Sequence, residues 1–169
     1  MSINLMGGIA LVGALCTITA VWAEENSNAP ALAKAISGAS VTLQQGLTAG
    51  ATDGKAISAK YEIDEGVFQL SVYTDKSGKF SEVVIDHTTG KVARSEAITS
   101  GEDLKEAKAQ SKAMGNVKGT LQGAVDQAEH ASPGFRAVSV EPKLKAGHTV
   151  AVVTLVKGTQ FKSVSEPLE

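Results

Sequence analysis

The stretch that most constrains this chain is residues 55–98, KAISAKYEIDEGVFQLSVYTDKSGKFSEVVIDHTTGKVARSEAI. Ile57, Ala59, Tyr61 and Ile63 alternate with Ser58, Lys60, Glu62 and Asp64. That period of two does not suit a helix, and it is what a strand with one buried face requires. Phe68, Leu70 and Val72 alternate in the same way with Gln69, Ser71 and Tyr73, and residues 80–85 and 91–98 supply two more strands. Between the four lie Glu65-Gly66, Asp75-Lys76-Ser77-Gly78 and Asp86-His87-Thr88-Thr89-Gly90, short runs with glycine available for positive φ. Connections this short cannot cross over a sheet, so the strands are expected to be antiparallel neighbours.

Helical spacing flanks this meander. Leu32, Ile36, Ala39, Leu43 and Leu47 recur at steps of three and four within residues 31–50. Gly38-Ala39-Ser40 interrupts them, and Thr42 followed by Gln45 has the form of a capping box. Two short helices or one bent helix both satisfy that pattern. After the meander, Gly101-Glu102-Asp103 places acids well for a helix N-terminus. Leu104, Ala107, Ser111, Met114, Val117, Leu121, Ala124, Val125 and Ala128 then form one stripe, expected to be a helix face lying on a sheet, with a break between Met114 and Thr120. Ser132-Pro133-Gly134 stops the helix. Residues 136–140, 149–156 and 161–165 read as three further strands, ended by Pro167; the middle one, TVAVVTLV, is apolar on both faces like a central strand.

The two halves match. Thr42-Leu43-Gln44 recurs as Thr120-Leu121-Gln122, and Lys55-Ala56-Ile57-Ser58 as Arg136-Ala137-Val138-Ser139. Leu70 and Val72 fall on Ala151 and Val153, and Phe80 on Phe161. The strand matches sit about three residues further apart than the helix matches, and a single indel in the loop holding Pro133 accounts for it, as expected of a duplication. Residues 91–98 have no counterpart in the second copy.

A helix at Thr42-Leu43-Gln44-Gln45-Gly46-Leu47, a strand at residues 68–73 and a last hairpin carrying Asp86, Thr89, Gly90, Lys91 and Val92 together resemble the PepSY domain. The resemblance implies an α+β fold of two tandem PepSY-like units, each a helix packed on an antiparallel β-meander. The first unit is residues 31–100 and the second residues 101–169, truncated by its last strand. It also implies an exported bacterial protein that acts by binding and not by catalysis, with a peptidase as one class of partner to inhibit or regulate.

Export is indicated independently by the N-terminus. Residues 1–23 carry no charged side chain, residues 5–20 are almost continuously apolar or small, and Val21-Trp22-Ala23 is followed by Glu24-Glu25. This is the layout of a secretory signal, too short for a comfortable permanent span. Residues 24–30 are expected to be a linker. The n-region lacks Lys and Arg, so an uncleaved membrane anchor is the competing reading. Cys16 follows Leu15 and not a small residue, which argues against lipidation. Cleavage would remove the one cysteine and the one tryptophan, leaving a domain held by its core and not by disulfides. Localisation is therefore expected to be periplasmic or secreted, with no stable membrane anchor once the signal is removed.

Formal charge is −2, with acids and bases interspersed, which excludes the basic stripe of a nucleic-acid binder. His87, His130 and His148 lack the spacing of a zinc motif, and adjacent acids such as Asp64-Glu65 point to different faces. No phosphate-binding loop or nucleophile elbow is present. No catalytic, cofactor-binding or metal-binding residue is assigned, and no cofactor is expected. Asp86, Thr89, Gly90 and Lys91 are expected to be a structural turn in which Asp86 accepts turn N–H groups and Gly90 takes positive φ. His87 in the same turn is expected to be solvated. The leading expectation is a protein- or peptide-binding module that uses an open sheet edge. The alternative is a small-ligand or metal-binding envelope protein that uses the sheet face or His87.

Overall fold

A computed structural model describes residues 28–168; the expected signal segment, residues 1–23, lies outside them. Helix α1 (Ala29–Ile36) starts within the stretch expected to be linker, with Pro30 in its first turn, where a missing N–H breaks no helical bond. Helix α2 (Leu43–Gly50) is separate from it, so the interrupted pattern is two short helices. The Thr42 hydroxyl accepts from the Gln45 amide, and the Gln45 side chain accepts from the Thr42 amide, completing the capping box.

A 3-10 turn (Ala51–Asp53) leads into strands β1 (Lys55–Asp64), β2 (Val67–Lys76), β3 (Lys79–Ile85) and β4 (Val92–Ile98). Helices α3 (Gly101–Ala113) and α4 (Leu121–His130) follow, then β5 (Arg136–Lys145), β6 (His148–Lys157) and β7 (Gln160–Pro167). The fold is α+β, with four helices among the described residues packed on one seven-stranded antiparallel sheet of order β4-β3-β2-β1-β5-β6-β7. The two meanders, expected as two tandem units, are thus one sheet, joined where Ala59 pairs with Val140 and Lys60 with Ser139. One hydrophobic cluster runs from Leu32 through Leu70 and Val125 to Leu168.

Pairing fixes the faces. Tyr61 opposes Leu70, which opposes Ile85, and Ala59 opposes Val72 and Val140, so these side chains share one face of the sheet. Helix α2 lies on it so closely that a Cβ on Gly46 would stand 2.4 Å from Leu70 Cδ2, and one on Gly50 2.6 Å from Val72 Cβ. Helix α4 lies beside α2, tied to it by the Gln44 amide donating to Asp126 (3.0 Å) and Glu129 (2.9 Å).

Helix α3 is on the opposite face. Ser58 donates to Gln110 at 2.6 Å and Ser111 to Asp75 at 2.5 Å, from the side of the strands that also carries Lys60 and Tyr73. The expected single stripe from Leu104 to Ala128 is therefore two helices on two faces. The chain passes round the sheet end between them, pinned by Lys55 Nζ donating to the Met114 carbonyl (2.8 Å) and by Gly119 N donating to Leu168 (3.1 Å).

The duplication read in the sequence recurs as geometry. β1 and β5 carry a register shift at matching places, Ala56/Ser58 against β2 and Ala137/Ser139 against β6. Glu65-Gly66 and Ala146-Gly147 both adopt positive φ in their hairpins, the I′-like twist that suits two-residue loops. Thr120 caps α4 by accepting from Gly123 N at 3.0 Å, as Thr42 caps α2. Ala59 and Val140, which stand at equivalent places in the two copies, face each other and mark an internal two-fold relation. β5 runs past residue 140 and includes Pro142, which pairs with Ala151 on β6 but lies beyond the short joint to β1.

Candidate functional site

The turn from Asp86 to Lys91 is built as its residue types dictate. Asp86 Oδ1 accepts from the amides of Thr89 (2.8 Å) and Thr88 (2.9 Å), and these two bonds hold its carboxyl below the usual carboxylate range. Asp86 N donates to the Lys91 carbonyl and Gly90 N to the Asp86 carbonyl, both at 2.8 Å, with Gly90 at φ 74°. The sequence did not reveal what this turn docks against. The His87 carbonyl accepts from both Ser40 N and Val41 N at 3.0 Å, clamping the loop between α1 and α2. The His87 ring is half-buried against Phe68, 4.7 Å between centroids, and Phe68 stacks on Tyr61 at 5.5 Å. His87 is thus a packing residue and not the solvated one expected.

The same corner holds Arg136. Its Nη1 donates to the carbonyls of Ile36 (3.1 Å) and Ala39 (2.8 Å), and its Nη2 to those of Val41 and, at 3.4 Å, to the Tyr61 hydroxyl. Burial raises the Tyr61 phenol pKa, against the pull of this guanidinium. Lys55 occupies the matching position of the first copy and likewise holds a helix-end carbonyl, that of Met114. A pair of basic residues at one repeated position thus ties the C-terminal ends of the first and third helices, at Ile36 and Met114, to the sheet.

On the α3 face the exposed part of the sheet is polar. Gln69 and Ser71 are buried among Glu62, Glu82 and Arg94, with Ser71 donating to Glu82 at 2.7 Å and Arg94 to Gln69 at 3.2 Å. Beside them a cleft of about 400 Å³ opens under α3, lined by Lys60, Tyr73, Asp103, Glu106, Glu141 and Lys143 among others. Lys60 is paired with Glu62 at 2.7 Å and Lys143 with Glu141 at 3.3 Å, and with Asp103 and Glu106 also on its wall the cleft carries both signs of charge with acids in excess. Burial opposes the Lys60 charge, but Tyr73 and Glu62 outweigh it and raise its pKa. Burial also raises Tyr73, against the pull of Lys60. Among the described residues, no group of three or more His, Cys, Asp and Glu gathers as metal ligands would.

The remaining candidate surface is the pair of outer strands. β4 neighbours β3 alone and β7 neighbours β6 alone among the described residues. Six of the seven β4 side chains are exposed, whereas those of β7 are mostly half-buried. In the duplication β7 corresponds to β3, so the outer side of β7 is the slot that β4 fills in the first copy.

Comparison with protein-family models, with curated proteins and with solved structures returned no match to this chain. The PepSY resemblance therefore rests on the motif residues themselves.

Proposed function

We propose that this chain is an exported, non-catalytic binding protein of the cell envelope that captures an extended segment of a protein or peptide as an added strand on β7. The resemblance to PepSY units makes a peptidase the first partner class to try, with inhibition or regulation as the outcome. The single observation that carries the reading is the outer edge of β7: among the described residues β7 pairs with β6 alone, whereas β3, its counterpart, pairs on the matching side with β4. A strand laid there would gain main-chain hydrogen bonds in the register that β4 uses on β3, with side-chain pockets supplying selectivity. The uncharged, apolar N-terminal segment supports export.

Two neighbouring prolines test the edge. Along an antiparallel edge strand, successive N–H groups alternate between the sheet and the outside, so of Ser163→Pro and Val164→Pro one removes an outward donor and the other breaks the ladder to β6. A partner recovered from an envelope extract and then purified should bind the wild-type chain. It should bind the well-folded proline variant at least about tenfold more weakly, the cost of about one or two hydrogen bonds. Unchanged affinity in that variant, or no recoverable partner, would rule the reading out.

A further inference from the structure

We infer that β4 is the edge through which two copies of this chain pair, strand against antiparallel strand, continuing the sheet across a two-fold axis at Ser95. The strand reads Val-Ala-Arg-Ser-Glu-Ala-Ile, and it complements itself when laid against its own reverse. Centred on Ser95, an antiparallel second copy sets Arg94 against Glu96 of that copy, and Glu96 against its Arg94. Ala93 and Ala97 lie just outside this charged centre. Directly opposed residues in an antiparallel pair lie on one face, so each charge meets its opposite.

The charges in the single chain are left incompletely satisfied. Glu96 stands directly opposite Glu82 of β3, and like charges so placed oppose pairing. Arg94 sits two residues along on the same face, bonded to Glu96 at 3.1 Å and to Gln69 at 3.2 Å, with both ion-pair side chains well exposed. In the paired form the free flank of each Glu96 receives the second copy's Arg94, and four charges alternate across the seam. On the other face Ser95, whose hydroxyl donates to Asp53 at 2.5 Å, meets Ser95 of the second copy.

The register shift between Val84 and Ile85 makes Ala93 an extra residue on β4. Such a bulge bends an edge and discourages long indiscriminate pairing. It confines regular pairing to the segment around Arg94, Ser95 and Glu96, where the self-complementarity is charged and specific. β7 offers a weaker version of the same match. Centred on Val164, it opposes Lys162 to Glu166 but Phe161 to Pro167, which has no N–H to give. The inference is independent of the function proposed for β7, because it uses the other edge.

Charge reversal tests it. Sedimentation equilibrium on the protein as purified from an expressing cell should show a monomer–dimer equilibrium at concentrations up to about 1 mM, the range for a small interface. Arg94→Glu and Glu96→Arg, each confirmed folded by circular dichroism, should each weaken self-association by about tenfold or more, since two attractive pairs become repulsive. The double swap, Arg94→Glu with Glu96→Arg, should restore it. The two single variants mixed together should form a heterodimer, and Glu166→Lys on β7 should leave self-association at the wild-type level. A chain that stays monomeric throughout, single variants that dimerise like wild type, a mixture that does not associate, or loss caused by Glu166→Lys would each overturn the proposal.

Discussion

Arg136 shows how much one side chain decides. It stands at the start of β5, yet its guanidinium reaches back to the carbonyls of Ile36, Ala39 and Val41, which follow or end α1 and have no helical partner of their own. Its ring-stacking position over Tyr61, 5.6 Å from the centroid, adds a cation–π contact. Truncation to alanine strips a charged donor from all three partly buried carbonyls, of which Ile36 keeps the Ala39 amide and Val41 the Tyr61 hydroxyl, and hydrogen bonds to a charged donor are the costly ones to lose. Arg136→Ala should therefore lower unfolding stability by about 2–4 kcal/mol in urea titrations. Arg136→Lys should recover less than half of that, because an ammonium cannot fork to several carbonyls at once. In the sequence this residue was visible as the counterpart of Lys55, but a lone basic residue opening a strand says nothing about which carbonyls it will find.

Among the elements, α2 and α4 are the same helix solved twice. Gly46 and Gly50 of α2 become Ala124 and Ala128 in α4, while Leu70 becomes Ala151 on the strand below. A larger strand residue faces glycine in one copy, and smaller ones share the space in the other, which keeps volume roughly constant at interior packing density. Gly50 is the less forgiving contact, since its missing Cβ would strike Val72 at Cβ, close to the backbone, whereas at Gly46 it meets the movable end of Leu70. Gly50→Ala should cost about 1–3 kcal/mol despite the better helix propensity of alanine, and Gly46→Ala less. Chemical denaturation of the two variants side by side checks the order. Helix α3 belongs to neither copy of this packing, and its placement on the far face could not be read from its stripe, because Ala107 and Ala113 suit either face.

For the molecule as a whole, the joint between β1 and β5 matters most. It makes one sheet and one apolar cluster from two copies, with Leu70 of the first half and Val153 of the second in the same core. A core that crosses the joint has no plane along which one half can melt alone. Calorimetry should therefore show one unfolding transition with calorimetric and van't Hoff enthalpies in agreement. Two resolved transitions would mean that the halves are energetically separate. The same joint determines which edges remain: pairing consumes one side of β1 and of β5 and leaves β4 and β7 as the outer strands. Each edge then has its own chemistry, mostly half-buried side chains on β7 and a self-complementary charged centre on β4.

Local chemistry by itself determined the meander, its turns, the capping box and the duplication. Alternation, glycine in positive-φ turns and Thr caps are short-range effects written in neighbouring residues. The Asp86 turn belongs with them, because its hydrogen bonds close within six residues. Tertiary structure alone decided that the two meanders share one sheet, that α3 and α4 part to opposite faces, and that His87 and Arg136 clamp the loop after α1. Those outcomes depend on contacts between residues far apart in the chain, whose energies come from shape and burial and leave no periodic mark on the sequence.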